Sequence, residues 1–436
     1  MSRLDMAPRP ESPATSCPGP SAGIESVDEK DLVLEHVCMM FRHGDRSPIS
    51  RSISSKVKMT QSQTDFWISR LAELSVVGAL NSGTKVVNYH SGLCSEDYCF
   101  GHQFDVPPPP QQGGRWPCGQ LTVKGIEMMR AKGQKLRESY KGLLHGVQDP
   151  VQQVYVESTN IRRTIRSAQS LLAGLFPEYF ENVDAGNALM VKEMLQPDSR
   201  NFLNSIQVDK MKKKDEPFVI HADDSNHLAP QHSYELYKDL GKMLASELRQ
   251  NAPPQFAEAS QKISEIIGAE SSKKVAWTGL REVLVCHQAH GIQFPDGLNQ
   301  QLFARICEYD AWLWHHLYGN MDFCRASFKA GVQRIYSYLA DVTQGVSKHK
   351  LSLFSAHDNS LVAIVNALQL QVPRVIPPYG AMLTFEVFRH RITAEFYVKV
   401  LFEGVEVTFA SHEHSALCPF SVLTQAAQSF LEVAAL

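Results

Sequence analysis

Apolar residues recur along this chain in two rhythms, and their alternation sketches the architecture. Asp31 to Phe41 (DLVLEHVCMMF) is a mostly apolar run suited to a buried strand, and it ends at Arg42. From Thr122 the pattern turns helical (TVKGIEMMRAKGQKLRESYKGLL), with Val123, Ile126, Met129 and Leu136 near one face. A strand is expected at Val154 to Val156. From Asn160 the residues Ile161, Ile165, Ala168, Leu171 and Leu172 return at helical spacing, and Pro177 sits where that helix should have ended. Near the C-terminus KLSLFSA predicts another strand, residues 359–368 a helix, and the alternating stretches AMLTFEVF, ITAEFYVKVLF and VEVTFA three more strands. Strands and helices alternating at both ends of the chain indicate an α/β sheet.

Two stretches break this alternation. Residues 49–118 read as irregular, with one short helix near Asp65 to Leu74 and the turn-rich sequence VPPPPQQGGRWPCG, and are expected to form a cap segment. Residues 183–348 carry several helical patterns and few strand signals, AWTGLREVLVCHQAHGI and LFARICEYDAWLWHHLYG being the clearest. They predict a mostly helical insertion. Residues 1–30 contain many prolines and acidic residues, lack the apolar stretch of about 7 to 15 residues that a secretory signal carries, and predict a disordered leader. The remaining residues, 31–436, are then one α/β core with its insertions.

Charge and composition exclude several classes. The 436 residues carry 43 Lys and Arg against 46 Asp and Glu, a formal charge of −3, so no nucleic-acid or polyanion footprint is expected. The run around Leu361 to Leu370 falls well short of the about 18 residues a spanning helix requires. Nine cysteines, an odd number, do not make a dense disulfide framework. Cys94 and Cys99 could close a small ring, Cys17 lies in the leader, and the pairing stays open. Lys210 with Lys212, Lys213 and Lys214 reads as a solvated loop in preference to an anionic-substrate rim.

The chemistry gathers at predicted strand ends. Arg-His-Gly-Asp-Arg-Ser-Pro (Arg42 to Pro48) directly follows a strand, where α/β sheets place their ligands. Arginine is permanently cationic and its planar fork can hold two phosphoryl oxygens, so Arg42 and Arg46 bracketing His43 suit a phosphate. Gly44 permits the tight turn. Arg162 or Arg163 opens the helix after the second strand, and His357-Asp358 follows a third. That set meets the needs of two-step phosphoryl transfer: a neutral His43 attacks phosphorus, arginines stabilise the equatorial oxygens, and Asp358 protonates the leaving oxygen if its carboxyl stays protonated beside the anionic phosphate. No metal or other cofactor is required.

FRHGDRSP, GQLTVKG, STNIRRT, SAHD and PPYG, in that order, resemble the motifs of the histidine acid phosphatase family, branch 2 of the histidine phosphatase superfamily. The resemblance spans roughly Val33 to Phe420. It implies a central mixed, largely parallel sheet with helices on both faces and a helical cap. It also implies His43 as nucleophile, Arg42, Arg46 and Arg163 as phosphate ligands, His357 as a further ligand and Asp358 as proton donor. Many members have Arg-Ser-Thr where this chain has Glu157-Ser158-Thr159, a departure expected to place an acid near the pocket entrance. With WPCGQLT, CHQAHGIQFP and EGVEVTF it is similar to members that remove phosphate from xylose in the glycosaminoglycan linkage region of proteoglycans, which implies a Golgi setting. STNI and LLAGLF are similar to members acting on lysophosphatidic acid.

Other readings remain beside this one. A catalytically inactive module that binds a phosphosugar or phospholipid would keep the same fold, and a phosphoglycerate mutase shares the Arg-His-Gly start. Cys286 with His290, and His412 with His414, offer metal-ligand types at weakly diagnostic spacings. Tyr309, Trp312, Trp314, His315 and His316 read as core and cap packing.

Overall fold

Strand β1 (Leu32–Arg42) sets the frame. In this computed structural model, which describes residues 28–88, 114, 116–147, 149–180, 216–223, 226–231, 240, 242–244, 246–248, 250–269 and 276–432, both faces of β1 are covered. Val37, Met39 and Phe41 enter one apolar core and Cys38 and Met40 the other. A strand buried on both sides needs no polar alternation, hence the continuous apolar run.

Around it lie α1 (Gln61–Ile68), α2 (Leu74–Ser82), β2 (Thr84–Asn88), α3 (Val123–Ser139), β3 (Val154–Thr159), α4 (Arg162–Leu175) and β4 (Phe218–Asp223). Then follow α5 (Pro254–Ile267), α6 (Trp277–Ala289), α7 (Gln300–Gly319), α8 (Met321–Thr343), β5 (Leu351–Ala356) and α9 (Asp358–Ala367). The chain closes with β6 (Met382–His390), β7 (Phe396–Phe402), β8 (Val405–Val407), β9 (Leu417–Pro419) and α10 (Phe420–Leu431). The sheet order is β2-β4-β3-β5-β1-β6-β7-β8, with β9 beside β7. Strands β2 to β5 and β1 run parallel, and β6 onward is antiparallel. The sheet is therefore mixed and largely parallel, in an α/β fold.

Helices α3 and α4 cover one face and α8, α9 and α10 the other. Polar caps start several of them: the Thr122 hydroxyl accepts from Gly125 N at 3.1 Å, and the Asn299 and Asn320 side chains accept from Leu302 N and Phe323 N at 3.0 and 2.9 Å. A separate apolar core joins α5, α6 and α7 to Val57.

The elements differ from expectation in three places. The helix expected near Asp65 to Leu74 is two helices, because a Thr60–Gln63 capping box starts α1 early and Leu71 leaves the helix to bridge Thr122 in extended form. Strands β2 and β4 arise within the stretches expected to be cap and helical insertion; each is only five or six residues long, too short to stand out from its surroundings. Helix α8, also within the expected insertion, packs on the sheet itself through Phe328, Val332, Ile335 and Leu339. The basic run at Lys210 to Lys214, the cysteines Cys17, Cys94 and Cys99, and the expected leader up to residue 27 lie outside the described residues.

Helices α3 and α4 approach backbone to backbone. A Cβ on Gly133 would fall inside the contact radius of the Leu171 carbonyl, and one on Gly174 inside that of Arg130. Because α4 carries Arg163 and its partner helix abuts the signature loop, this crossing fixes the site from below. Gly174→Ala is expected to destabilise the protein by about 1–3 kcal/mol through overpacking, read as a lowered midpoint in urea unfolding; an unchanged midpoint would mean that the helices can separate freely.

Candidate active site

Register brings the chemistry together. Arg42, the last residue of β1, pairs with Ala356, the last of β5, while Ser158 of β3 pairs with Ser355. The residues that follow, His43, His357 and Thr159, are therefore neighbours at one sheet edge. His43 N donates to Ala356 O at 3.1 Å, and its own carbonyl accepts from Gly380 N at 3.0 Å. The rings of His43 and His357 stand edge to face, 5.6 Å apart. Gly44 lies against the N-terminal turn of α3, where a Cβ would sit 2.6 Å from Gly125 O, and its N–H donates to Ser167 Oγ at 3.0 Å. A side chain at position 44 would push the loop off the helix.

The hydrogen bonds fix both tautomers. His43 Nδ1 lies 2.8 Å from Gly44 O, and a carbonyl only accepts, so Nδ1 carries the hydrogen and Nε2 the lone pair. Thr164's hydroxyl has the carbonyls of Thr159 and Ile161 at 3.0 and 2.7 Å, leaving its oxygen to accept from Thr159 at 2.8 Å. Thr159's oxygen in turn accepts from His357 Nε2 at 3.0 Å. Burial, then the cations Arg163, Arg46 and Arg42, hold His43 well below the usual imidazole range. The first two of these causes also lead for His357. Both rings stay neutral in mild acid.

The structure brings all six residues expected from sequence to this place. Arg42, His43, Arg46, Arg163 and His357 are buried, and Arg42 Nη2 reaches Asp358 Oδ2 at 3.0 Å. The Nε–H groups of Arg42 and Arg46 are buried without an acceptor among the described residues, donors available to an anion. Burial, followed by the like charge of Arg46, pushes Arg163 down to about 9. The proton expected on Asp358 is conditional on a bound phosphate. Burial pushes the carboxyl's pKa up, yet Arg42, Arg281 and Arg46 outweigh that and hold it below the usual range, so the carboxyl is ionised in the ligand-free site.

Sequence reasoning missed a second set, carried by α6 and α7. Arg281 Nη2 lies 3.3 Å from Asp358 Oδ2 while its Nε donates to the buried Asp310, which also accepts from Thr278 Oγ1 at 2.6 Å. Glu282 pairs with Arg46 and accepts from Ile49 N at 2.6 Å. Tyr379, from the PPYG motif, lies under Arg42, its ring centroid 4.2 Å from Cζ. The signal was present: Arg281-Glu282 is a charged pair flanked by Leu280, Val283 and Leu284, on a face that packs inward. A charge that cannot reach water needs a partner.

Two further expectations find different partners. Glu157 is not at a pocket entrance: it is 2% exposed, accepts from Tyr155 Oη at 2.7 Å and pairs with Arg334 at 2.8 Å on the α8 side. Cys286 and His290 do not converge. Burial and Glu282 push the Cys286 thiol up to about 12, with Tyr379 Oη 3.2 Å away, and His290 Nε2 instead meets Asp45 Oδ2 at 2.6 Å. Asp45 also accepts from Thr122 Oγ1 at 2.5 Å, tying the signature loop to α3 and to the end of α6.

Comparison with known proteins follows the same line. The family model of the histidine phosphatase superfamily (branch 2) matches residues 33–403. Lysophosphatidic acid phosphatase type 6 of Bos taurus is 27% identical over 404 residues, covering 89% of this chain and 82% of that protein. Lysosomal acid phosphatase of Bos taurus is 27% identical over 333 residues, covering 72% and 69%. Among solved structures, Hafnia alvei phytase in complex with myo-inositol hexakis sulphate superposes with a TM-score of 0.55 at 15% identity, over 92% of this chain and 98% of that one, a likeness of fold. A family match that runs from β1 to the turn after β7, over a site assembled from the ends of β1, β3 and β5, shows that the chain belongs to the histidine phosphatase superfamily, branch 2.

Proposed function

We propose that this phosphatase hydrolyses phosphomonoesters in two steps through a phosphohistidine on His43, with no metal ion. The observation that carries the reading is a neutral His43, lone pair on Nε2, set among buried guanidinium groups. Nε2 attacks phosphorus in line, the P–O bond to the leaving group breaks, and Asp358 delivers a proton to the departing oxygen. Arg42, Arg46, Arg163 and His357 hold the non-bridging oxygens. Water then attacks phosphorus and the P–N bond breaks; Asp358 takes the water's proton, and the electron pair returns to Nε2, releasing inorganic phosphate.

Asp358 is an ion in the empty site, so its role as acid depends on the substrate. A bound phosphate draws Arg42 toward itself and places negative charge beside the carboxyl, and both changes raise the carboxyl toward protonation. Acid pH favours this form, and His43 remains unprotonated there.

For the leaving group, the sequence resemblance favours xylose 2-phosphate in the proteoglycan linkage region and hence a Golgi setting. CHQAHGIQFP, one of the segments behind that resemblance, forms the end of α6 and the turn after it. Glu157, buried beneath the sheet edge, lends it no support. The second reading, lysophosphatidic acid, rests on the relative with that name, and the lysosomal acid phosphatase relative keeps a general acid phosphatase in the secretory pathway in view. Among the described residues no helix is long and apolar enough to cross a membrane.

Hydrolysis of p-nitrophenyl phosphate, xylose 2-phosphate and lysophosphatidic acid in EDTA tests the proposal. Turnover should persist with chelator and fall by about 10³-fold or more in His43→Ala. Loss in EDTA, or a variant as active as the parent, would contradict it. A second prediction concerns Arg281. Its cation favours ionised Asp358, so replacing the pair together, Arg281→Gln with Asp310→Asn, should let the carboxyl keep its proton to higher pH and move the alkaline limb of kcat up by roughly 0.5–1 unit. Comparison on one substrate cancels the titration of the ester itself; a limb that stays put or moves down would remove Asp358 from the acid role.

A further inference from the structure

A cleft of about 480 Å³ opens beside the catalytic loop and belongs to no step described above. One wall is the chain that continues from the signature, beginning at Pro48 and including Arg51, Lys56 and Lys58; the other is α6 and the turn after it, through Val283, His287 and Phe294. Arg46 and Glu282, which pair within the catalytic site, precede these two walls directly in sequence. The cleft thus adjoins the Arg46–Glu282 pair at the margin of the catalytic site.

Its charge is unbalanced. None of Arg51, Lys56 and Lys58 makes an ion pair with a carboxylate among the described residues, and Asp296 is the acidic residue on the lining. Arg51 Nη2 donates to the Trp116 carbonyl at 3.5 Å. Lys56 lies against the C-terminal turn of α5, where its backbone N–H donates to Ile267 O at 3.3 Å, a place that favours a cation in its own right. A second observation points independently to a ligand. His287 is only 8% exposed, it lines the cleft, and its Nδ1 is buried with no hydrogen-bond partner among the described residues. Buried polar atoms are ordinarily matched, and an unmatched one at the wall of a cavity is a group waiting for a partner.

We infer that this cleft is a leaving-group subsite for phosphomonoesters that carry a second anionic group on a polar, ring-sized body, an acidic sugar in chemical class. The cations hold the second anion, His287 meets a hydroxyl, and Phe294 and Val283 pack on the C–H face of the ring. This inference rests on the phosphomonoesterase reading and narrows its substrate. An uncharged acyl chain would leave the cations of the wall unmatched, so lysophospholipid is the poorer occupant.

The test compares glucose 1-phosphate with glucuronic acid 1-phosphate, sugars that differ by one carboxylate, and uses p-nitrophenyl phosphate as the reference ester. For the parent enzyme, KM for the glucuronate ester is expected to be roughly tenfold lower than for glucose 1-phosphate, with similar kcat. In Arg51→Ala/Lys58→Ala that preference should disappear while kcat on p-nitrophenyl phosphate is kept; Lys56 stays in place because of its position at the helix end. His287→Phe should weaken both sugar esters and spare the reference. Equal KM values for the two sugars in the parent, or a preference that survives the double replacement, would overturn the inference. Should the parent turn over no ester at all, the phosphatase reading fails, and the cleft is then judged by calorimetric titration of glucuronic acid 1-phosphate: binding lost in the double variant supports it, and binding unchanged there, or absent in the parent, ends it.

Discussion

Buried cationic charge at the ends of β1 and β3 constrains everything around it. Arg42, Arg46, Arg163 and Arg281 are buried in one region with Asp358, Glu282 and Asp310, four guanidinium groups against three carboxylates. Taking an ion out of water costs several kcal/mol unless partners replace the lost solvation. The fold supplies those partners from distant parts of the chain. Glu282 and Asp310 come from α6 and α7, which have their own apolar core, and Asp358 from the first turn of α9. The charge and geometry of a phosphoryl group suit such a set of guanidinium forks.

The same field decides the protonation states. Burial and the cations close to the imidazole disfavour a second proton, so His43 is kept neutral in acid where an exposed histidine would be a cation. They also hold Asp358 ionised until substrate arrives. In the proposed mechanism one arrangement of arginines therefore binds the phosphate, keeps the nucleophile neutral and makes the acid conditional on substrate. Backbone contact carries the precision: Gly44 against Gly125, and Gly133 and Gly174 between α3 and α4, leave no slack between the loop and the helices beneath it.

Much of this was legible in the sequence because it is local. The apolar run of β1 followed at once by Arg-His-Gly, the helical rhythm after Arg163 and the His-Asp step after β5 each declare a strand end and its chemistry within a few residues. Sheet neighbours settle the rest. Strand β4 is six residues in a largely helical region, and only its pairing with β2 and β3 makes it a strand. Arg281 and Glu282 lie in a stretch read only as a helical pattern; which charges they meet depends on α6 lying over the strand ends. Glu157 was misplaced for the opposite reason. Its position next to the strand end suggested the pocket, but the strand's alternation turns it to the α8 side, where Arg334 holds it.

The central claim is that His43 carries the phosphoryl group between the two steps. Rapid quench of a ³²P-labelled ester in alkali, followed by mapping of the labelled peptide, tests it most directly, since a phosphoramidate survives base and is lost in acid. The account predicts label on the peptide containing His43, chased by unlabelled substrate at the rate of turnover and absent from His43→Ala. Turnover with no trapped label, or label carried by another residue, would contradict it.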